Sequence, residues 1–288
     1  MLHPGYGFLS ERADFAERCE IEGITFVGPN VEHLRLFGDK GEARSAAIEA
    51  GVPVLKGINR GVTLSEAQEF FKSIKGSVII KAVAGGGGRG TRIVKSKKDL
   101  ESAFVRCESE AKAAFGIGDL YIEEFMNCAR HIEVQIIGDT GGNVIHLGER
   151  ECSAQRRNQK VIEIAPAPNF SPVLREKILK SAVAFAQQQK YQSLGTFEFL
   201  VDGNEPSSKF VFIEANARLQ VEHTVTEEVT GIDLVASQIK VALGGSLSEI
   251  GLDLDNAINP KGFAIQARVN LETIKPDGSV MPSAGVLT

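Results

Sequence analysis

The sequence predicts an α+β protein of two lobes, and three observations carry that reading. Short β-branched strands alternate with capped helices between residues 51 and 125, which makes a small αβ unit. From His131 onward, apolar Ile132, Val134 and Ile136 alternate with polar residues, and Val144 to Leu147 faces them across Asp139-Thr-Gly-Gly-Asn143 as an antiparallel hairpin. At 288 residues, 43% of them apolar and 24% charged, the chain is long enough for about two cored units at roughly 150 residues each. The expected division is 1–50, 51–125 and 126–288.

In order, Ser10 caps a helix to residue 22 with Phe15, Ala16 and Cys19 on one face, and Ile24 to Val27 forms a strand before the Gly28-Pro29 break. Asp39 caps a second helix, Lys40 to Ala50, which Gly51 stops; Val52 to Leu55 is extended. Thr63-x-x-Glu66 is a capping box opening a helix to about Lys75. Ser77 to Val83 is a strand, followed by the loop Gly85-Gly86-Gly87-Gly88-Arg89-Gly90 and the strand Thr91 to Val94. Ser96 starts a helix through Phe115, and Tyr121 to Phe125 returns as a strand. Beyond the hairpin, Pro172 sits at the first position of a helix to about Lys190, and strands follow at Gly195 to Val201, Phe210 to Ala215 and Phe263 to Asn270.

Composition excludes several function classes. Lys plus Arg is 32 against 37 for Asp plus Glu, a net charge of −5 that gives no general field for nucleic acid, so any anion site must be local. No run approaches the roughly 18 apolar residues of a bilayer span, and no secretory leader is visible. Cys19, Cys107, Cys128 and Cys152 form no C-x-x-C pair, which argues against a zinc site or a disulfide framework and for a reducing compartment.

The 30 glycines cluster at residues 85 to 90. Gly85-x-Gly87-x-x-Gly90 matches the dinucleotide fingerprint in letters only, because a strand rather than a helix follows it; Thr91 and Arg92 also break the P-loop pattern. A glycine hairpin can instead lay bare amides over phosphate oxygens, with Lys81 adding an ammonium. Alone, the same residues would suit a mobile surface hairpin.

Glu214 and Asn216 stand at i and i+2 of a strand and leave the same face, and Glu198 lies between Phe197 and Phe199 in a like arrangement. Such hard oxygen donors suit Mg²⁺ with a nucleotide. Arg218, Gln220 and Glu222 continue the alternation and add His223, a set able to hold a small oxyanion and take its proton. Arg156, Arg157 and Lys160 form a second basic group. Each group in isolation reads equally as a solvated charged face.

Six motifs together resemble the biotin carboxylase family, ATP-grasp enzymes: His3-Pro-Gly-Tyr-Gly-Phe-Leu-Ser-Glu11, Gly38-Asp-Lys40, the Lys81 strand with its glycine loop, Glu149-Arg-Glu-Cys-Ser-Ala-Gln-Arg-Arg157, Gly195-Thr-Phe-Glu-Phe199 and Glu214-Ala-Asn-Ala-Arg-Leu-Gln-Val-Glu-His223. The resemblance covers essentially the whole chain. It implies an ATP-grasp fold with a remnant of the preceding α/β domain at 1–50, a lid at 51–125, and a catalytic subdomain at 126–288 running into an incomplete C-terminal domain. ATP would be bound by Lys40, Lys81, Gly85, Gly86, Gly87, Gly88 and Gly90, with Glu123, Met126 and His131 at adenine and ribose and Gln155 in the same pocket. Glu198, Glu214 and Asn216 would hold Mg²⁺ or Mn²⁺. Lys160, Arg218, Gln220, Val221 and Glu222 would hold bicarbonate, with Glu222 as base, so that attack on the γ-phosphate gives carboxyphosphate. Arg268 would stabilise the biotin enolate, with Tyr6 near the ring.

The implied partners are a biotin carboxyl carrier domain, a carboxyltransferase and further copies of the chain, in the cytoplasm or the mitochondrial matrix. Cys152 falls on a family cysteine and reads as a pocket residue, not a nucleophile. Asn158 stands where the family commonly has histidine, and Thr224 matches pyruvate and some single-chain acyl-CoA carboxylases where others have proline. The opening and the end point to a piece lacking the family's first strands and part of its last lobe, expected to be weakly stable and poorly active alone. Competing readings are a carbamoyl-phosphate-synthetase-like bicarbonate kinase and an inactive nucleotide-binding module.

Overall fold

A computed structural model describes residues 1–58, 61–74, 76–83, 90–156, 158–252, 259–277 and 279–285. Gly85, Gly86, Gly87, Gly88 and Arg157 therefore lie outside the described residues. Three helices open the chain: α1 (Ala13–Ile21), α2 (Val31–Gly38) and α3 (Lys40–Glu49). Helix α1 starts from Arg12 rather than Ser10, which is buried in the preceding turn. The expected strand at 24–27 is a single bridge from Phe26 to Leu2. Gly28-Pro29 precedes a further helix instead of only a break, because the Asn30 side chain accepts the His33 N–H and caps α2. Asp39 then ends α2 and caps α3 through Gly41 and Glu42, so Lys40 enters the site as the first residue of a helix.

The smaller lobe, the expected lid, comprises β1 (Gly57–Ile58), α4 (Leu64–Ser73), β2 (Val78–Ala82), β3 (Thr91–Val94), α5 (Lys97–Phe115) and β4 (Leu120–Glu124), its sheet ordered β1-β4-β2-β3. The Thr63 and Glu66 capping box forms as expected. Val78, Ile80 and Ala82 alternate inward onto Leu100, Phe104 and Cys107 of α5, while Lys81 points to the other face.

The larger lobe carries β5 (Arg130–Gly138), β6 (Val144–Arg156), β7 (Gln159–Ala165), α6 (Pro172–Gln188), β8 (Ser193–Asp202), β9 (Lys209–Asn216), α7 (His223–Thr230), α8 (Leu234–Ala242), β10 (Ala264–Ala267), β11 (Glu272–Ile274) and β12 (Val280–Pro282). Its six-stranded sheet runs β10-β7-β6-β5-β8-β9, every pair antiparallel. Strand β7 and helices α7 and α8 are findings beyond the sequence reading. The alternation after Asn216 ends there, and residues 217–222 form a loop into α7 instead of more strand.

One face of this sheet is apolar. Ile132, Val134, Phe197, Phe199 and Ala215 pack with Phe37, Phe185, Tyr191 and Phe212, largely as edge-to-face rings. The phase changes between β8 and β9: Phe199 pairs with Phe212 but Glu198 with Glu214, so Ile213 is an extra residue, a bulge. It places Glu214 and Asn216 on the face of Glu198 and returns Ala215 to the core.

Candidate active site

The second face of the sheet carries the candidate residues. Glu133 of β5 pairs with Glu198 of β8, and Glu198 pairs with Glu214 of β9, so three carboxylates stand in a row across neighbouring strands. Like charges directly opposite one another repel, and each buried charge needs a partner. The partners arrive from elsewhere in the chain. Lys160 of β7 donates to Glu133, to Glu198 Oε1 at 2.9 Å and to Glu222 Oε1 at 2.8 Å. Lys40 of α3 meets Glu214 Oε2 at 3.1 Å. Arg150 of β6, fully buried, closes the row at Glu133.

Glu198 is the most heavily bonded member. Its Oε1 also accepts from Asn216 Nδ2 at 2.8 Å and Gln220 Nε2 at 3.2 Å, and its Oε2 meets His131 Nε2 at 2.6 Å, with Gln155 Nε2 2.7 Å from the other ring nitrogen. Burial works to raise the Glu198 pKa, but Lys160 and His131 overcome it and hold the carboxyl well below its usual range. Burial likewise pulls His131 and Lys160 down while their carboxylate neighbours win and raise both. Glu214 is depressed chiefly by Lys40, whose own pKa Glu214 raises.

Glu222 caps α7 with its backbone, while its carboxylate turns to Lys160 and to Arg268 Nη2 at 2.8 Å. Arg268 also donates from Nε to Glu163 Oε1 at 2.6 Å. Two buried acceptors, Gln220 Oε1 and Glu163 Oε2, have no protein partner. Gln220 thus presents an unmatched acceptor beside Glu198, at a site rich in donors.

The fit to a divalent cation rests on donor chemistry. Glu198 and Glu214 oppose each other and each other's charge as hard oxygen donors of the kind Mg²⁺ takes beside phosphates, and Asn216, two residues on, carries an amide whose nitrogen faces Glu198 and whose oxygen Arg218 holds. Two other trios, His131 with Glu133 and Glu198, and Glu133 with Cys152 and Glu222, bring ligand atoms within 4.8 Å of one another. Lys160 already bonds both trios' carboxylates. Burial raises the Cys152 thiol well above its usual pKa, which keeps it protonated and suits a pocket residue.

Lys81 pairs with Glu123 across the lid sheet and lies 5.7 Å from the Tyr121 ring, while Arg44 of α3 stands 3.9 Å from the other Glu123 oxygen. Lys81 also depresses Glu214, which places the lid lysine within electrostatic reach of the carboxylate row. Arg218 binds Asn216 Oδ1 at 3.0 Å and Glu11 at 3.0 Å, tying the row to the loop that carries Tyr6. Tyr6 is exposed, Met126 and Val221 are half-buried, and Gly90 is buried at the base of the lid hairpin with φ +65°. His131, expected beside the base and sugar, contacts Glu198, and Gln155, expected in the same pocket, contacts the His131 ring and the Cys152 carbonyl. Asn158 occupies the β6–β7 turn at φ +63°, a conformation asparagine tolerates better than most side chains.

The sequence reading missed Glu133, Arg150 and Glu163. A signal for Glu133 existed: it alternates with Ile132 and Val134, so it had to lie on the face opposite the core. Its burial against Arg150 and Lys160 of two other strands was not readable from one strand.

Residues 39–250 match the family described as carbamoyl-phosphate synthase L chain, ATP binding domain, and residues 1–34 match biotin carboxylase, N-terminal domain. Human mitochondrial pyruvate carboxylase is 53% identical over 99% of this chain, which spans 24% of that protein's length. Biotin carboxylase from Campylobacter jejuni, solved as a beta-gamma-ATP complex, superimposes with a TM-score of 0.88 at 46% identity, covering 95% of this chain and 60% of that one. The biotin carboxylase domain of Hydrogenobacter thermophilus 2-oxoglutarate carboxylase, solved with MgADP, ADP and bicarbonate, gives 0.87 at 43% identity, over 94% of this chain and 58% of that one. Among the described residues, no helix is long and apolar enough to cross a membrane.

Proposed function

The chain belongs to the biotin carboxylase branch of these ATP-binding domains, and from that membership we propose that it activates bicarbonate with ATP and carboxylates biotin on a carrier domain, as one part of a longer biotin-dependent carboxylase. The observation that carries the reading is the placing of Glu222 between Lys160 and Arg268, with Lys160 joining it to Glu198, which also takes the amide of Gln220, whose oxygen is unpartnered. An anion pocket and a cation–phosphate edge thus share one wall.

In this reading Lys40 and Lys81 bind the phosphates, each leaving the carboxylate it now holds, and the Gly85 to Gly90 loop covers them. Glu198, Glu214 and Asn216 would hold Mg²⁺, which would supply neutralisation of the phosphate charge. Phosphoryl transfer asks mainly for positioning and charge neutralisation, which this set of residues provides without a covalent nucleophile. Bicarbonate lies against Lys160, Arg218, Gln220 and the Val221 backbone, its single hydroxyl turned to Glu222. Glu222 takes the bicarbonate proton, and the oxyanion attacks the γ-phosphate, expelling ADP and giving carboxyphosphate. Arg268 and Tyr6 border the position of the carrier's ureido ring. Glu123, Met126, His131 and Gln155 complete the nucleotide pocket. The partners are the carrier and carboxyltransferase parts and a second copy of the chain, in the cytoplasm or the mitochondrial matrix.

The test is phosphate release by the complete polypeptide. We expect ATP cleavage that requires bicarbonate and rises with free biotin. A rate that responds to ammonia and not to biotin would overturn the reading in favour of carbamoyl-phosphate chemistry.

A further inference from the structure

Arg150 contacts neither the phosphate edge nor the anion pocket, yet it is the largest fully buried side chain in the molecule's described residues. A guanidinium is costly to bury unless its donors are matched. Here Nε donates to Glu133, Nη1 to Gln135 Oε1 at 2.8 Å and to Thr226 Oγ1 at 2.9 Å, and Nη2 to Thr196 Oγ1 at 3.2 Å. Those acceptors sit on β5, β8 and α7, so one planar fork from β6 fixes three other elements. Lysine cannot reproduce that geometry.

Two of the ties lead to the reacting groups. Glu133 divides its oxygens between Arg150 and Lys160, and Lys160 divides its hydrogens between Glu133, Glu198 and Glu222. Without Arg150, Glu133 would carry an unmatched charge and draw Lys160 toward itself, away from Glu222. Thr226 is four residues beyond Glu222, one helical turn along the same face of α7, so its bond to Arg150 sets how far the N-terminus of that helix stands from the row. We propose that Arg150, through Glu133 and Thr226, is a positioning residue that holds Lys160 and Glu222 at their working separation for bicarbonate. The inference rests on the reading of Lys160 and Glu222 as bicarbonate residues.

The experiment uses the complete polypeptide with Thr226→Val, which keeps the shape and removes the acceptor, Thr226→Ser, which restores it, and Arg150→Lys. Expected are a fall of about tenfold in kcat/KM for bicarbonate in Thr226→Val, with the Mg-ATP Kd from calorimetry within about twofold of wild type, and recovery in Thr226→Ser. Arg150→Lys should give the same bicarbonate-selective loss, larger; if that variant does not fold, the Thr226 pair decides alone. The proposal is overturned if Thr226→Val matches wild type, or if bicarbonate and nucleotide constants decline together without rescue by serine. Failure of the underlying functional reading is distinguishable, because wild type itself would then show no bicarbonate-dependent ATP cleavage.

Discussion

The lid sheet and the six-stranded sheet are both antiparallel, and both pack one apolar face against helices, but their second faces differ. In the lid that face is half-open, and its main polar contact is the Lys81–Glu123 pair beside Arg44. In the larger sheet the second face meets α7 and holds Glu133, Glu198, Glu163 and Glu222 against Arg150, Lys160 and Arg268. Four carboxylates meet three cations there, and Glu198 beside His131 raises the pKa of that imidazole against the effect of its burial. A sheet can therefore bury charge on the scale of a core when strands far apart in sequence each bring one member of a pair.

That contrast can be broken most forcefully at Glu198. Glu198→Ala leaves Lys160, His131 and Asn216 without their shared acceptor, and removing one partner of a buried ion pair costs about 3–5 kcal/mol. Denaturant midpoints of the complete protein should fall accordingly, with ATP cleavage lost; an unchanged midpoint would mean that the network contributes no net stability. In the lid, Phe104→Ala cuts into the small core at a cost of about 3 kcal/mol. Hydrogen exchange should rise across 57–124 and stay slow across 130–216; uniform acceleration would show that the two lobes unfold as one.

Acid should separate the lobes next. Glu133, Glu198 and Glu214 have depressed folded pKa values, so the stability they contribute is present above the ordinary carboxylate value of 4.5 and is lost as pH falls through the folded values. Glu149 and Glu163, raised by burial, oppose this in part. His131, raised above 6.5, adds stability that fades as pH climbs through its folded value. The lid's shifted carboxylate among the described residues, Glu110, lies at the surface beside Arg92 and should contribute little. Exchange at 130–216 should therefore accelerate on acidification before exchange at 57–124, and the reverse order would refute the assignment. The smallest effect is Thr63→Ala, which removes the lid capping box and should cost about 1 kcal/mol, read as faster exchange in α4 alone.

Local signals were legible and long-range pairings were not. The Asp39 cap, the Thr63–Glu66 box, the strand before the glycine loop and the shared face of Glu214 and Asn216 all follow from spacings of two to four residues. Helix α2 hid behind Gly28-Pro29, which reads as an end although Asn30 begins a new element. Strand β7 was obscured by the basic cluster before it, and α7 by an alternation that continued past the end of β9. Family resemblance supplied Lys160, Glu222 and Arg268 as a set, but Glu133 meets Arg150 only through the register of the β5–β6 hairpin, and Glu163 meets Arg268 only when β7 and β10 pair across 105 residues of sequence.

The extra residue Ile213 makes the carboxylate edge a matter of phase. Were β9 to alternate strictly through Ile213, Glu214 would share the face of Phe212 and turn into the core; the bulge keeps Phe212 opposite Phe199 and Glu214 opposite Glu198 at once. Chain length can drift in the 203–208 turn without touching this arithmetic, whereas a register that drew Ile213 into the ladder would exchange the two sides of the sheet beyond it.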